Sequence, residues 1–413
     1  MTSADPAAIT AWLAENSVSL TSLKAGADFA DLEPLANVFG ECRIVGLGES
    51  THGSSEFFTL KHRLVEFMVT ELGFRVFAIE AGHAGCRAIN DYVKGGEGDP
   101  ARLLRELGYW TWRTQEVLDL IEWMRAFNAN AAEPVEFRGI DPVFDPMAAE
   151  KIAGRLDPER AAKLTEALAV LRSRRAASGL RSMAAEAFKS RLRRLIGRDG
   201  EDKAHAAALA EAGAVIRELA ESEAGSELAD DLWALGKGVE IMLLPPLSSS
   251  GSAAREQAMA DAVARIPGER IILWAHNGHL ARSSFEGGWQ TFGGHLAERY
   301  GDSYYATAFV FDEGGFQALK AGGNTFSEPV EFEVGKAPEG TVEWQLARAG
   351  AGDCFVDLRA AGEWTRTPTR MRSFGSVIGF WPMVKQSTVE VDLSAEFDGV
   401  VLVGRTTRAR PLP

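Results

Sequence analysis

The chain has 413 residues but only three cysteines, Cys42, Cys86 and Cys354. Three thiols cannot complete a disulfide framework, and because none stands in a Cys-x-x-Cys pair, a structural zinc site is not expected either. Such a small number of cysteines is typical of proteins that work in a reducing compartment. We therefore predict a cytoplasmic location.

The sequence also lacks a basic excess and long hydrophobic runs. It has 44 Lys and Arg against 58 Asp and Glu, a formal net charge of −14, whereas binding of nucleic-acid phosphates needs a basic surface. No run approaches the roughly 18 apolar residues of a membrane helix, and Met1–Pro6 carries no basic and apolar signal segment. We expect a small-molecule partner, and neither a nucleic acid nor a membrane.

Two common enzyme motifs are missing. Gly46 and Gly48 end an apolar run, but Thr51 stands where the dinucleotide motif G-x-G-x-x-G requires its third glycine. The G-x-S-x-G elbow of the α/β-hydrolases does not occur, which weakens a serine-nucleophile interpretation.

The composition is otherwise that of a globular protein, with 46% hydrophobic and 25% charged residues. Over residues 41–141, short apolar runs alternate with amphipathic helical patterns. The helical pattern at 54–72, for example, lies between the apolar runs at 43–48 and 75–80. Alternation of this kind is typical of parallel strands joined by right-handed helical crossovers.

A change of composition separates the middle of the chain from its two ends. Residues 147–243 are rich in Ala, Glu, Arg and Leu, with helical patterns at 160–174, 183–196 and 204–222. A segment rich in Ser, Pro and Gly follows at 244–252 and is typical of a linker. These helices therefore indicate an insertion between two parts of one sheet.

Strand patterns resume at 270–275 and continue as short extended pieces toward the C-terminus. The sequence predicts a three-layer α/β/α fold with a mainly parallel sheet, an inserted helical bundle and a strand-rich C-terminal extension. We expect residues 1–146 and 251–413 to form the two halves of one catalytic domain, the second with edge strands. We expect residues 147–250 to form a helical insert or lid.

Titratable side chains follow the predicted strands at the point where each strand ends. In chain order these are Glu49 and His52, then Glu80, then Asp141, and finally His276 and His279. Because the carboxyl ends of parallel strands meet at one edge of a sheet, where ligands bind, we expect one crevice lined by carboxylates and imidazoles. Such groups are typical of acid–base catalysis.

Structural roles remain open for each of these residues. Glu49 could cap the next helix, Glu80 could belong to a structural ion pair, and the two later histidines could occupy a turn. The loop at 109–113 is equally open, since Trp110, Trp112 and Arg113 fit either core packing or a wall that binds substrate.

Five blocks of sequence, in order along the chain, resemble the erythromycin esterase family. The blocks are Gly46-Leu-Gly48-Glu49-Ser-Thr-His52-Gly53, Ile79-Glu80-Ala-Gly82, Trp123-Met124-Arg125 with Asn128, Gly139-Ile-Asp141 and Trp274-Ala-His276-Asn277-x-His279. The resemblance covers roughly residues 35–410. The family includes members labelled as succinoglycan-biosynthesis proteins.

The resemblance implies hydrolysis of a macrolide lactone by an activated water, without a covalent intermediate. By motif, His52 is similar to the general base, and Glu49 and Glu80 to the carboxylates that orient and polarise it. His276 is similar to the second essential imidazole. An imidazole suits this chemistry because its ordinary pKa lies near the working pH.

The resemblance and the predicted crevice together give the expected substrate contacts. These are His279, Trp110, Trp112, Arg113, Asp141, Arg75 and Arg255, with Arg75 an alternative to His276 as donor to the oxyanion. One segment departs from the family: its Arg-Asp-x-x-Met-Ala-x-Asn helix has Glu256 in place of the Asp and Ala262 in place of the Asn.

We predict no cofactor and no metal, and two alternatives remain. The same Glu and His side chains could serve a metal-dependent hydrolase, since a divalent metal uses such ligands. The chain could also be a binding protein for a secondary metabolite that keeps the fold but not the turnover.

Overall fold

The computed structural model describes residues 6–142, 146–172, 200–245, 248–266, 268, 270–284, 288–322, 325–326, 328–379 and 387–413. The strands are β1 (Ser17–Ser19), β2 (Ile44–Leu47), β3 (Val76–Gly82), β4 (Glu136–Asp141), β5 (Ile271–Trp274), β6 (Tyr304–Gly322), β7 (Thr325–Phe326), β8 (Val330–Val334), β9 (Cys354–Asp357), β10 (Thr369–Arg372), β11 (Val377–Ile378), β12 (Thr388–Val391) and β13 (Gly399–Thr406).

The helices connect these strands. They are α1 (Pro6–Asn16), α2 (Glu33–Phe39), α3 (Ser55–Thr70), α4 (His83–Val93), α5 (Pro100–Glu106), α6 (Gln115–Asn128), α7 (Pro146–Ala153), α8 (Pro158–Arg172), α9 (Gly200–Ser222), α10 (Glu227–Met242), α11 (Ser249–Ala264), α12 (Asn277–Leu280), α13 (Phe292–Tyr300), α14 (Val342–Arg348) and α15 (Leu393–Glu396). Among the helices of the described residues, none combines the length and apolar character that crossing a bilayer requires.

The sheet has a parallel centre. Its neighbouring strands run in the order β13, β6, β2, β5, β3, β4, and each of these pairs is parallel. At one side, β9 pairs with β13 and β1 pairs with β9, both antiparallel. The long strand β6 also pairs with β8 in antiparallel orientation. The prediction of a mainly parallel sheet is confirmed.

Alternate residues of the central strands face opposite sides of the sheet, as the two-residue period of a strand requires. On one side, Phe77 and Ile79 pack against helices α3, α4 and α6. On the other side, Val76 and Ala78 share a cluster with residues of α11, α13 and α14. Helices therefore cover both faces, which confirms the predicted three-layer α/β/α fold.

The helices from the middle of the chain pack around a core of their own. Residues of α7, α8, α9 and α10 form a separate hydrophobic cluster that includes Ile152, Leu164, Ile216 and Leu232. The helix predicted at 183–196 lies outside the described residues. The division into residues 1–146, 147–250 and 251–413 and the role of the insert as a lid stay predictions.

Two local features differ from the expectations. The segment predicted as a linker is partly helical, because the Ser248 side chain accepts a hydrogen bond from the Gly251 N–H and thereby caps α11. In the C-terminal extension, β13 lies inside the sheet, between β6 and β9. Its first five residues are all buried, as a strand covered on both faces requires.

Candidate active site

The strands that carry the predicted site residues are neighbours. Because β2, β5, β3 and β4 are adjacent and parallel, their carboxyl ends bring distant segments of the chain to one edge of the sheet. A cavity of about 430 Å³ lies at this edge. It is lined by His52, Glu80, Gly108, Tyr109, Trp110, Thr111, Trp112, Arg255, His276, His279, Gly375 and Ser376.

Glu49 anchors the imidazole of His52. The Glu49 side chain is fully buried directly after β2, and its Oε1 lies 2.8 Å from His52 Nδ1. A carboxylate accepts the proton of Nδ1, so the Nε2 atom of His52 carries the lone pair. Since His52 lines the cavity, this arrangement gives a hydrogen-bond acceptor on the wall of the cavity.

The second oxygen of Glu49 is also held. Lys61 Nζ and Trp274 Nε1 each donate a hydrogen bond of 2.7 Å to Glu49 Oε2. Burial opposes ionisation of Glu49, but Lys61 and His52 outweigh it, and the pKa of the carboxyl is lowered. Glu49 therefore stays a carboxylate, and each of its two oxygens accepts at least one hydrogen bond from a named donor.

Lys61 is a member of this site that the sequence did not reveal. Its side chain is completely buried, and its ammonium lies 4.4 Å from the centre of the Trp274 ring. Burial lowers the pKa of Lys61 to about 8, although Glu49 and Glu80 oppose this shift. Position 61 follows Phe57 by four residues and precedes Leu64 by three, so Lys61 lies on the apolar stripe of α3, and α3 is buried on nearly every face.

His276 lines the cavity and is fixed by the short helix that follows it. It is the N-cap of α12, and its Nδ1 accepts a hydrogen bond of 3.2 Å from the Gly278 N–H. The proton of the neutral ring is therefore on Nε2, and within the described part of the chain this buried atom has no hydrogen-bond partner. Burial and the nearby His52 and His279 lower the pKa of His276 to about 3.

The two imidazoles lie side by side. The ring centres of His52 and His276 are 4.9 Å apart, with an angle of 39° between the ring planes. One ring offers a lone pair and the other an unused N–H. An acceptor and a donor at this separation can act on the two partners of one addition reaction, the attacking water and the carbonyl oxygen.

Glu80 is held by the guanidinium of Arg255, and both side chains line the cavity. Arg255 Nη2 donates to Glu80 Oε1 at 2.9 Å and to Asp141 Oδ2 at 2.7 Å. Arg255 Nε donates to the other oxygen of Asp141 at 3.0 Å. Burial would raise the pKa of Glu80, but His279 and Arg255 outweigh it and hold the pKa well below its usual range.

His279 lies between two carboxylates. Its Nε2 is 3.2 Å from Glu80 Oε1, and its Nδ1 is 2.7 Å from Glu256 Oε1. Burial would lower the pKa of His279, but the two carboxylates raise it to about 10. The imidazole is therefore a cation at neutral pH, and both of its nitrogens donate.

The loop at 109–113 forms one wall of the cavity. Its two tryptophans fit both interpretations, since one lines the cavity and the other also packs in the core. Trp110 lines the cavity. Trp112 is 1% exposed, donates from Nε1 to the backbone oxygen of Glu80 at 3.0 Å and packs edge-on against Trp274. Arg113 lies outside the cavity and pairs with Glu328 at 3.3 Å.

Arg75 does not reach the site, and its prediction as a substrate contact is wrong. It precedes β3, whereas the cavity lies at the other end of that strand. Seven residues of β3 separate the two ends by about 20 Å. The Nη1 atom of Arg75 instead donates to the backbone oxygens of Val69 and Phe74, each at 2.8 Å.

The donor groups of the site do not form a metal centre. Among the residues that the structure describes, no three His, Cys, Asp or Glu side chains are arranged to hold a metal ion. Both nitrogens of His279 and both oxygens of Glu80 are directed at each other and at neighbouring donors and acceptors. The metal-dependent alternative gains no support from this geometry.

Comparison with known proteins identifies the kind of protein. The sequence model of the family described as erythromycin esterase matches residues 69–406. Erythromycin esterase type II from Escherichia coli is 35% identical over 116 residues, which are 28% of this chain and 27% of that protein. The chain thus aligns with about a quarter of the length of this curated relative.

Solved structures share the fold over the whole chain. The structure of a succinoglycan biosynthesis protein covers 100% of both chains with a TM-score of 0.82 and 24% identity. A mutant of the erythromycin esterase EreC in an open conformation covers 94% of this chain and 97% of its own, with a TM-score of 0.69 and 21% identity. Because the family model spans well over half of its residues, the chain belongs to the erythromycin esterase family.

Proposed function

We propose that the chain hydrolyses an ester or a macrolide lactone with a water molecule that His52 activates. The observation that carries this proposal is that two imidazoles lie side by side, and among the described residues one keeps a free lone pair and the other a free N–H. His52 is anchored through Nδ1 by a buried carboxylate at 2.8 Å, and His276 lies beside it with an N–H that has no partner in the described chain. The names of relatives and structural neighbours support an ester of the erythromycin type.

The proposed reaction begins with proton transfer from water to His52 Nε2. The water oxygen bonds to the carbonyl carbon, and the carbonyl oxygen becomes the oxyanion of a tetrahedral intermediate. When this intermediate collapses, the bond between the carbon and the leaving oxygen breaks, and His52 returns the proton to that oxygen. The products are a carboxylic acid and an alcohol, which in a lactone are the two ends of one opened ring.

The surrounding charges support each step. Glu49 stabilises the imidazolium of His52, as the aspartate does in a serine-protease triad. The Nε2–H of His276 donates to the oxyanion. A general base contributes roughly 10²–10⁴-fold to such a rate, and one oxyanion donor contributes roughly 10²–10³-fold.

Neutrality of His276 is part of this proposal. The pKa of about 3 means that the ring offers its N–H without carrying a charge, so it does not repel the imidazolium that forms on His52. Arg255 and His279 keep Glu80 ionised, and Glu80 Oε2 accepts the backbone N–H of His276 at 3.2 Å. This contact supports the turn that carries the donor.

A substrate screen tests the proposal. The purified chain is incubated with macrolides and with simpler esters and lactones, and mass spectrometry records the addition of one water. We expect at least one substrate to gain one water with the wild type and not with His52→Ala, prepared identically. Binding of a macrolide without any product from the wild type would instead support the binding-protein alternative.

A further inference from the structure

Glu256 lies away from the two reacting imidazoles but is rigidly fixed. It is on α11, and its side chain is 3% exposed. Its Oε1 lies 2.7 Å from His279 Nδ1, and its Oε2 accepts the backbone N–H of Phe292 at 2.7 Å. With one oxygen held by the backbone at the start of α13, the other oxygen has a fixed direction toward His279.

A continuous set of hydrogen bonds leads from this carboxylate to the reaction site. His279 Nε2 lies 3.2 Å from Glu80 Oε1, and Glu80 Oε2 lies 3.2 Å from the backbone N of His276. His279 uses one nitrogen for each of its two contacts in this set, and Glu80 uses one oxygen for each of its two contacts. A movement of the first carboxylate would therefore be transmitted to the residue that carries the unpartnered N–H.

We propose that Glu256 is a positioning residue of the reaction. It acts through His279 and Glu80, and the group that it ultimately places is the ring of His276. This inference rests on the proposed function, because it assumes that His276 donates to the oxyanion. Glu256 itself lies outside the set of residues that line the cavity.

The charges around His279 explain why a carboxylate is needed here. His279 is faced by Glu256 and Arg255 from α11, by Glu80 from β3 and by His276 from its own turn. Arg255 Nη1 lies 3.4 Å from His279 Nε2, and as a second cation it disfavours protonation of the ring. Glu80 and Glu256 together outweigh the burial of His279 and raise its pKa.

One further histidine is close enough to matter. His295 on α13 interacts with Glu256, and burial lowers the pKa of His295. His295 is therefore neutral at neutral pH and does not compete with His279 for the charge of Glu256. The relevant partner of the Glu256 carboxylate is the imidazolium of His279.

The kinetic test uses Glu256→Gln, Glu256→Asp and a matched control. Glu343→Gln is that control, since Glu343 is as deeply buried, accepts the Arg372 backbone N–H at 2.7 Å and lies outside the cavity. A misplacement of about 1 Å caused by a mutation away from the reacting atoms can cost roughly 10²-fold in rate. We expect that loss in kcat for Glu256→Gln with KM nearly unchanged, partial recovery in Glu256→Asp, and wild-type kcat in the control.

A double variant separates positioning from simple stabilisation. If Glu256 acts through Glu80, the losses of Glu256→Gln and Glu80→Gln overlap, so the double variant is hardly slower than Glu80→Gln. Independent, additive losses would overturn the proposal. So would a kcat of Glu256→Gln equal to that of the wild type or of the Glu343→Gln control.

An NMR titration keeps this test separate from the proposed function. The His279 ring signals, assigned by their absence in His279→Gln, should show a protonated ring up to about pH 9 in the wild type, given a pKa of about 10. In Glu256→Gln the midpoint should fall by about 1–3 pH units, the usual effect of losing one adjacent opposite charge. An unchanged midpoint would refute the link between Glu256 and His279, whereas a wild type without any esterase activity would refute the proposed function alone.

Discussion

Replacement of Lys61 by methionine tests the buried charges behind His52. Lys61 Nζ and Glu49 Oε2 are 2.7 Å apart, and both side chains are 0% exposed. At an effective dielectric constant of 20, two unit charges at this distance attract each other by about 6 kcal/mol. Removal of one partner from a buried pair typically costs about 3–5 kcal/mol of stability, because the other charge remains buried and uncompensated.

We therefore expect Lys61→Met to lower the free energy of unfolding in urea by about 3–5 kcal/mol. Glu49→Gln should lose a similar amount, and the double variant should lose less than the sum of both, because it leaves no unpaired charge. Without Lys61 the buried carboxyl of Glu49 takes up a proton more readily, because Lys61 is the largest influence that lowers its pKa. Since a protonated Glu49 supports the His52 imidazolium poorly, kcat of Lys61→Met should fall by up to roughly 10²–10⁴-fold.

The titration of Lys61 predicts how stability and activity change with pH. Burial holds the pKa of Lys61 at about 8, below its ordinary value of 10.5. Between these two values the unfolded chain binds the additional proton, so this group makes stability rise with pH in that window. Activity should fall in the same window, because neutral Lys61 no longer balances Glu49, and Lys61→Arg should lack this alkaline decline.

The assays are urea unfolding and a pH profile of kcat for the wild type, Lys61→Met and Lys61→Arg. Lys61→Arg is the matched control because it keeps the positive charge at every accessible pH. The reasoning would be refuted if Lys61→Met were as active and as stable as the wild type. It would also be refuted if the alkaline profiles of the wild type and Lys61→Arg coincided.

Three further predictions concern the nucleophile, the cavity wall and metals. Ser50→Ala, Ser54→Ala and Ser55→Ala should each keep kcat, and a serine-directed covalent inhibitor should not inactivate the enzyme; a trapped acyl-enzyme would contradict the water mechanism. Trp110→Ala should raise KM for a macrolide with little change in melting temperature, because Trp110 lines the cavity and is only partly buried; an unchanged KM would remove it from the substrate wall. Activity should survive exhaustive chelation with metal content checked by elemental analysis, whereas activity lost on chelation and restored by one metal would support the metal-dependent alternative.

The strand ends could be predicted from the sequence because two simple rules apply to them. Apolar runs followed by polar residues mark where strands end, and parallel strands place those ends at one edge. Glu49 and His276 lie two residues after β2 and β5, Glu80 and Asp141 lie among the last residues of β3 and β4, and the adjacency of these four strands brings the side chains together.

Other members of the site could not be found in this way. Lys61 lies on the apolar stripe of α3, but the helical period does not show which carboxylate a buried lysine will meet, and its contact with Glu49 depends on tertiary packing. Glu256 could be seen as a departure from the family pattern, but its partner His279 is 23 residues away, and their contact depends on how α11 packs on the sheet.

The error at Arg75 has a physical cause as well. Arg75 and Glu80 stand at opposite ends of one strand segment, five residues apart in sequence. A strand extends by about 3.3 Å per residue, so a few positions place two side chains at opposite edges of the sheet.

The rate of His52→Ala tests the central claim most directly. Proton abstraction is needed only on the way to the transition state, so the loss belongs in kcat and not in substrate binding. We predict a fall in kcat of roughly 10²–10⁴-fold, with the dissociation constant of the substrate, measured by calorimetry, and the melting temperature close to those of the wild type. Unchanged turnover in His52→Ala would contradict the account.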